Sequence, residues 1–333
     1  MVPAVYVFGD SLVDVGNNNY LKISLAKADF PHNGVDFPGA KATGRFSNGK
    51  NAADFIAEKL GLPTSPPYLS LASKSNKSNA FLTGVSFASG GAGIFDGTDE
   101  KYRQSLPLTL QVDYYSKVHE DLVKQLGSAG AQAHLSKSIF AVVIGSNDIL
   151  GYVKSNNKSN PQEFVDRMAV TLKGQLKRIY DLGGRKFVVV GVGAIGCCPS
   201  QRNQNKTGGC NEEANYCAVK YDEVLKSTLE QLKSELTNIN YTYFDTYRMF
   251  LSFIQNPATY GFKEVKAACC GLGNLNAKVA CLPISNYCSN RRDHLFWDLF
   301  HPTEAAASIF ADNLFDGPKQ YASPINVKQL VAV

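Results

Sequence analysis

Four short segments of this 333-residue chain carry side chains that could do chemistry together. Phe8-Gly9-Asp10-Ser11 puts a hydroxyl just past an apolar run, and Gly84 to Gly93 (GVSFASGGAG) is a loop of nearly bare backbone. Gly145-Ser146-Asn147-Asp148 ends a second apolar run with an amide, and Asp298-Leu299-Phe300-His301 sets a carboxylate three residues before an imidazole. A serine hydroxyl becomes a nucleophile when a base takes its proton, and histidine is the usual base near neutral pH. The imidazole in turn needs a carboxylate on its other nitrogen. A developing oxyanion needs fixed donors, which a glycine N–H, the nucleophile's own N–H and an asparagine amide would supply. Each segment alone is an ordinary turn. Four of them, each in a loop, supply the parts of an acyl-transfer site.

The elements that must hold these loops alternate between strand and helix. Apolar runs at Ala4–Phe8, within Lys137–Gly145, at Lys186–Val192 and at Tyr241–Phe244 have the length and continuity of buried parallel strands. Helices are predicted at Asn51–Leu60, closed by Gly61 and Pro63, and at Pro161–Leu182, with apolar residues at steps of three and four. Further helices are predicted at Glu212–Leu236 and Thr303–Phe315, the last entered through Pro302. The pattern predicts an α/β protein, a three-layer α/β/α sandwich with a mostly parallel central sheet. With no composition shift or repeat along 1–333, one domain is expected. Ser65–Asn79 and Asn203–Gly209 read as polar surface loops. In such sheets active sites gather at the carboxyl ends of the strands, where the four segments lie.

The same stretches resemble a known family. FGDSLVDVGNNN at 8–19 resembles the signature block of the GDSL esterase/lipase family, within the SGNH-hydrolase superfamily. GVSFASGGAGI at 84–94, IGSND at 144–148 and WDLFHPTEAA at 297–306 are similar to its later blocks. TGRFSNGKNAADFIAEKLGLP at 43–63 and GAIGCCPSQR at 193–202 are similar to its plant branch. The resemblance implies an SGNH-hydrolase, flavodoxin-like fold and a serine ester hydrolase acting on lipid or other acyl esters through an acyl-enzyme. Ser11 would be the nucleophile, His301 its base and Asp298 the orienting carboxylate. The oxyanion hole would take the N–H groups of Ser11 and Gly91, with Gly90 as the alternative to Gly91, and the amide of Asn147. Many plant members carry Asn where this chain has Ser86, which would alter the bracing of the second block. Acyl transfer to an alcohol acceptor, or a non-catalytic accessory protein on the same fold, are the rival functions.

Composition limits the partners. Apolar residues make up 44% and charged residues 19%, and the net charge of +5 is spread without a Lys/Arg block, which argues against nucleic acid. No run approaches the ~20 apolar residues of a membrane span. All eight cysteines lie between Cys197 and Cys288, including the vicinal pairs Cys197-Cys198 and Cys269-Cys270. Neighbours rarely pair with each other, so each would seek Cys210, Cys217, Cys281 or Cys288, giving up to four bridges; reduced, buried thiols are the alternative. Bridges and the sequons at Asn76, Asn157, Asn205 and Asn240 fit a secreted protein, although no leader is visible before Ala4.

No cofactor or metal is expected. Zinc is disfavoured because no C-x-x-C pair occurs and the cysteine-rich stretch lacks histidine. Gly191-Val-Gly193-Ala-Ile-Gly196 matches a dinucleotide fingerprint, but Cys197, Cys198, Pro199 and a polar loop follow in place of the required helix. Asp10, Asp14 and Asp148 are expected to brace backbone, not to bind metal. His32, His119, His134 and His294 lack partners at ligand spacing, and His119 is expected to face solvent from a helix. Phe30, Phe37, Phe87, Phe95 and Phe296 are candidates to line an acyl pocket. The sequence leaves the oligomeric state open.

Overall fold

In the computed structural model, which describes residues 2–71, 78–98, 100–156 and 158–333, the apolar runs become a five-stranded sheet. Strands β1 (Val5–Gly9), β2 (Ile139–Val143), β3 (Lys186–Val190) and β4 (Asn240–Phe244) lie side by side in sequence order and all parallel. An antiparallel edge strand, Ala322–Pro324, pairs with β4 and was not anticipated. It is three residues long and carries no alternation to read.

Alternate side chains of the strands face opposite layers. Tyr6, Phe8 and Phe140 point to the long helix Leu108–Lys137, where their rings pack around Tyr115. Helices Ser146–Lys154, Pro161–Asp181 and Glu212–Glu235 share that layer. The opposite layer is formed by Ala52–Lys59 packed on Glu304–Asp316, with Val327–Ala332 beside it. The three layers are those expected, and Asn51 and Thr303, read as the first residues of their helices, are the caps. Asn51 caps Ala52–Lys59 in a capping box with Asp54, and the hydroxyl of Thr303 caps Glu304–Asp316 by accepting the Ala306 N–H.

Several expectations need correction. Leu108–Lys137 bends at Gly127 (φ 71°), and its weak amphipathicity hid all but the stretch around His119. His119 itself is half-buried, and that burial lowers its pKa. A short helix, Pro199–Gln204, does follow the glycine triplet, cutting into the loop expected from Asn203. The nucleotide reading fails for another reason: the carboxylate of buried Asp222 accepts the Val192 N–H and the Asn215 amide oxygen accepts that of Gly196. Two N–H groups that a phosphate would need are thus already engaged. Of the polar stretch at 65–79, residues 72–77 lie outside the described residues, as do the sequons at Asn76 and Asn157.

Three bridges form, not four: Cys197–Cys210, Cys269–Cys288 and Cys270–Cys281. Cys198 and Cys217 remain buried thiols. They face different neighbours: the Cys198 thiol donates to the Phe300 carbonyl, while Cys217 lies on the helix Glu212–Glu235. No helix among the described residues is long and apolar enough to cross a membrane.

Candidate active site

Ser11 lies two residues past the end of β1. The side chain of Gln111, from the long helix, grips Gly9 at both backbone groups, accepting its N–H and donating to its carbonyl, each at 2.8 Å. A β-carbon on Gly9 would meet the Val143 carbonyl oxygen at 2.3 Å, so only glycine lets β1 pass β2 this closely. The chain then turns on Asp10, whose carboxylate takes the Leu12 N–H at 2.9 Å and whose carbonyl takes that of Val13. Ser11's own N–H has no acceptor among the described residues.

His301 arrives from the far end of the chain. Asp298 accepts the backbone N–H groups of Phe300 (3.0 Å) and His301 (2.9 Å), and the Trp297 N–H closes the turn on the His301 carbonyl. The same carboxylate lies 2.7 and 2.8 Å from His301 Nδ1. A carboxylate only accepts, so Nδ1 carries the proton and Nε2 offers its lone pair. That lone pair meets the Ser11 hydroxyl at 2.7 Å. Burial alone would raise the Asp298 pKa, but the facing His301 ring and the backbone N–H groups outweigh it and hold the carboxyl below its usual range. Phe46 covers the imidazole, ring centroids 5.0 Å apart.

The glycine loop is tied down by the residues after Ser11. Asp14 accepts the N–H groups of Gly16, Asn17 and Gly90. Asn17 donates to the carbonyls of Ser86 and Ala88, and Asn18 to that of Gly90, each at 2.8 Å. The N–H of Gly90 is therefore engaged, whereas that of Gly91 (φ 83°) has no acceptor among the described residues. Asn147, in the first turn of Ser146–Lys154, donates one amide hydrogen to the Ala92 carbonyl at 2.9 Å and keeps the other. Asp148 accepts from Ile94, Phe95 and the Thr98 hydroxyl. Asp10, Asp14 and Asp148 thus all bond backbone N–H groups, locally for Asp10, across 53 and 54 residues for Asp148 and in both ways for Asp14. Ser86 is fully buried with its hydroxyl unpartnered, so here only its backbone braces the loop.

Ser11, Gly91, Asn147, Asp298 and His301 line one cavity of about 320 Å³. Of the five aromatic candidates only Phe30 does; Phe87 and Phe296 are core, Phe37 lies under the Arg45 guanidinium and Phe95 packs on Phe164. Period-2 reading locates a strand but not which rings face a gap. Gln111, Asn17, Asn18 and the Arg45–Asp54 pair had no expected role. Asn17 and Asn18 lay inside the quoted first block, the one signal available for them. The remaining histidines lie apart: His134 beside the Tyr6 hydroxyl, His294 on Asp293, His32 against Tyr287.

Residues 5–314 match the family model described as GDSL-like Lipase/Acylhydrolase. A GDSL esterase/lipase of Arabidopsis thaliana is 54% identical over 340 residues, covering 99% of this chain and 90% of the relative. Two further GDSL esterase/lipases of the same plant are each 41% identical, over 96% and 98% of this chain and 90% of each relative.

Proposed function

This chain belongs to the GDSL-like lipase/acylhydrolase family, and we propose that it hydrolyses carboxylic esters through an acyl-enzyme on Ser11. The observation that carries this reading is the 2.7 Å contact of His301 Nε2 with the Ser11 hydroxyl, backed by the carboxylate of Asp298 on Nδ1. As Ser11 Oγ bonds to the ester carbonyl carbon, its proton passes to Nε2, and the imidazolium is stabilised by Asp298. The carbonyl oxygen becomes an oxyanion, held by the N–H groups of Ser11 and Gly91 and the spare hydrogen of Asn147. Collapse breaks the bond to the alkoxy group, which leaves as alcohol with the proton from Nε2. Water, deprotonated by the same nitrogen, then attacks the acyl-serine, and Ser11 departs with its proton restored. An alcohol in place of water would give acyl transfer by the same steps.

The whole chain acts as one domain in this reading, since sheet, helices and site share one core. Three bridges support a secreted location, because they persist in oxidising compartments. Ser11→Ala should remove p-nitrophenyl acetate hydrolysis while leaving the circular dichroism spectrum unchanged. Turnover kept by that variant would overturn the reading.

A further inference from the structure

We propose that the acyl group bound by this protein is a straight chain of about ten to twelve carbons, lying in an apolar slot between the sheet and the Glu304–Asp316 helix. This rests on Ser11 being the acylated residue. The sheet is covered on both faces, so residues at the centre of its strands should be shut off from water. Ala141 and Val143 of β2 and Val190 of β3 are not: they stay partly accessible. They share one face of the sheet. Val7, Ala141 and Val188 are in register across three strands, as are Val143, Val190 and Phe244 one row nearer the site. All of them line the cavity that holds Ser11 and His301.

The gap exists because its lining is small. Ala307 and Ala311 on one stripe of Glu304–Asp316, Ala53 on the neighbouring helix and Ala141 on the sheet leave space that larger side chains would fill. Its candidate reacting groups are at one end. Ser11, Asn147, Asp298 and His301 mark the mouth, while Val5, Ile56 and Leu314 line the far end. An ester whose carbonyl sits at Ser11 thus has an apolar path for its acyl tail.

Two rulers give the length. Along β1, Val5 to Gly9 is about 13 Å at ~3.3 Å per residue. Along the helix, Glu304 to Leu314 is about 15 Å at ~1.5 Å per residue. An extended alkyl chain advances about 1.3 Å per methylene, so the two distances hold about ten to twelve carbons. The volume falls in the ~300–1,000 Å³ range of small-molecule pockets.

The test is a series of p-nitrophenyl esters from acetate to hexadecanoate, with dodecanoate binding to the Ser11→Ala protein as a second readout. Each methylene kept out of an apolar site costs about fourfold in affinity. Ala311→Phe should therefore lower the dodecanoate-to-acetate ratio of kcat/KM by about tenfold or more and weaken dodecanoate binding. Leu314→Ala, which opens the far end, should shift the preferred chain length upwards and keeps the test available if Ala311→Phe does not fold. Ester turnover whose length profile ignores these variants, with dodecanoate binding equally unaffected, overturns the slot and leaves the esterase reading intact. No turnover of any ester, with dodecanoate binding still sensitive to Ala311→Phe, overturns the esterase reading and supports the slot.

Discussion

The carboxylate of Asp14 holds the N–H of Gly90 at 2.9 Å, 76 residues along the chain. This bond joins the loop that carries Ser11 to the glycine loop, and it leaves Gly91, not Gly90, with an N–H to offer.

The same carboxylate should leave a signature in stability. Burial pushes the Asp14 pKa up to about 6, against the opposing pull of its backbone hydrogen bonds. The folded protein therefore holds this proton at pH values where the unfolded chain, with a pKa near ~3.9, has lost it. Its contribution to stability is greatest in acid and is lost as pH rises through about 6. The unfolding free energy of the parent minus that of Asp14→Asn should fall by about 3 kcal/mol from acid to neutral pH, measured by urea melts. A difference independent of pH would show that Asp14 titrates normally. Asp298, whose pKa is lowered, works in the opposite sense but is common to both proteins.

Asn147→Ala should lower kcat on esters by on the order of 10²–10³ with little change in KM, because its spare amide hydrogen acts on the oxyanion and not on the ground state. Steady-state kinetics decide this. A near-parent kcat would take Asn147 out of the oxyanion hole and leave it as a brace of Ala92.

Arg45 and Asp54 form a buried two-bond pair, both contacts at 2.7 Å. Arg45 also donates to the Val15 carbonyl, so the pair joins the Ser11 loop to Ala52–Lys59. Arg45→Ala strands a buried carboxylate and should cost about 3–5 kcal/mol in chemical denaturation. A loss below ~1 kcal/mol would mean that water reaches Asp54 and the pair is a surface bridge.

The free thiols should be silent in the native protein. Cys198 lines the cavity, yet burial and then the nearby Asp298 charge push its thiol up to about 12. A thiol reagent such as dithionitrobenzoate should find none before denaturation and two after it, Cys198 and Cys217. Rapid labelling of the native protein would show that the region around Cys198 opens.

Much of this arrangement was legible in the sequence because it follows from local chemistry. Continuous apolar runs gave the four parallel strands, and Asn51 and Thr303 marked helix starts that the structure keeps. The four segments at the strand ends named the side chains now found around one cavity. What escaped is non-local. Gln111 gripping Gly9 lies 102 residues from it, and nothing in its neighbours distinguishes it from a surface glutamine. Cysteine pairing depends on side-chain direction: Cys197 and Cys198 are adjacent, yet one bridges to Cys210 and the other turns to the cavity. The acyl slot was invisible because alanines in a helix or strand look like ordinary packing until register shows them facing one another.

Fluorophosphonate labelling followed by peptide mass mapping examines the nucleophile itself. One phosphonyl group per folded chain should appear on the peptide containing Ser11, and His301→Ala or prior denaturation should remove it. A protein that hydrolyses esters while Ser11 stays unlabelled, or carries the label on another residue, would contradict the assignment of Ser11 and His301 as the reacting pair.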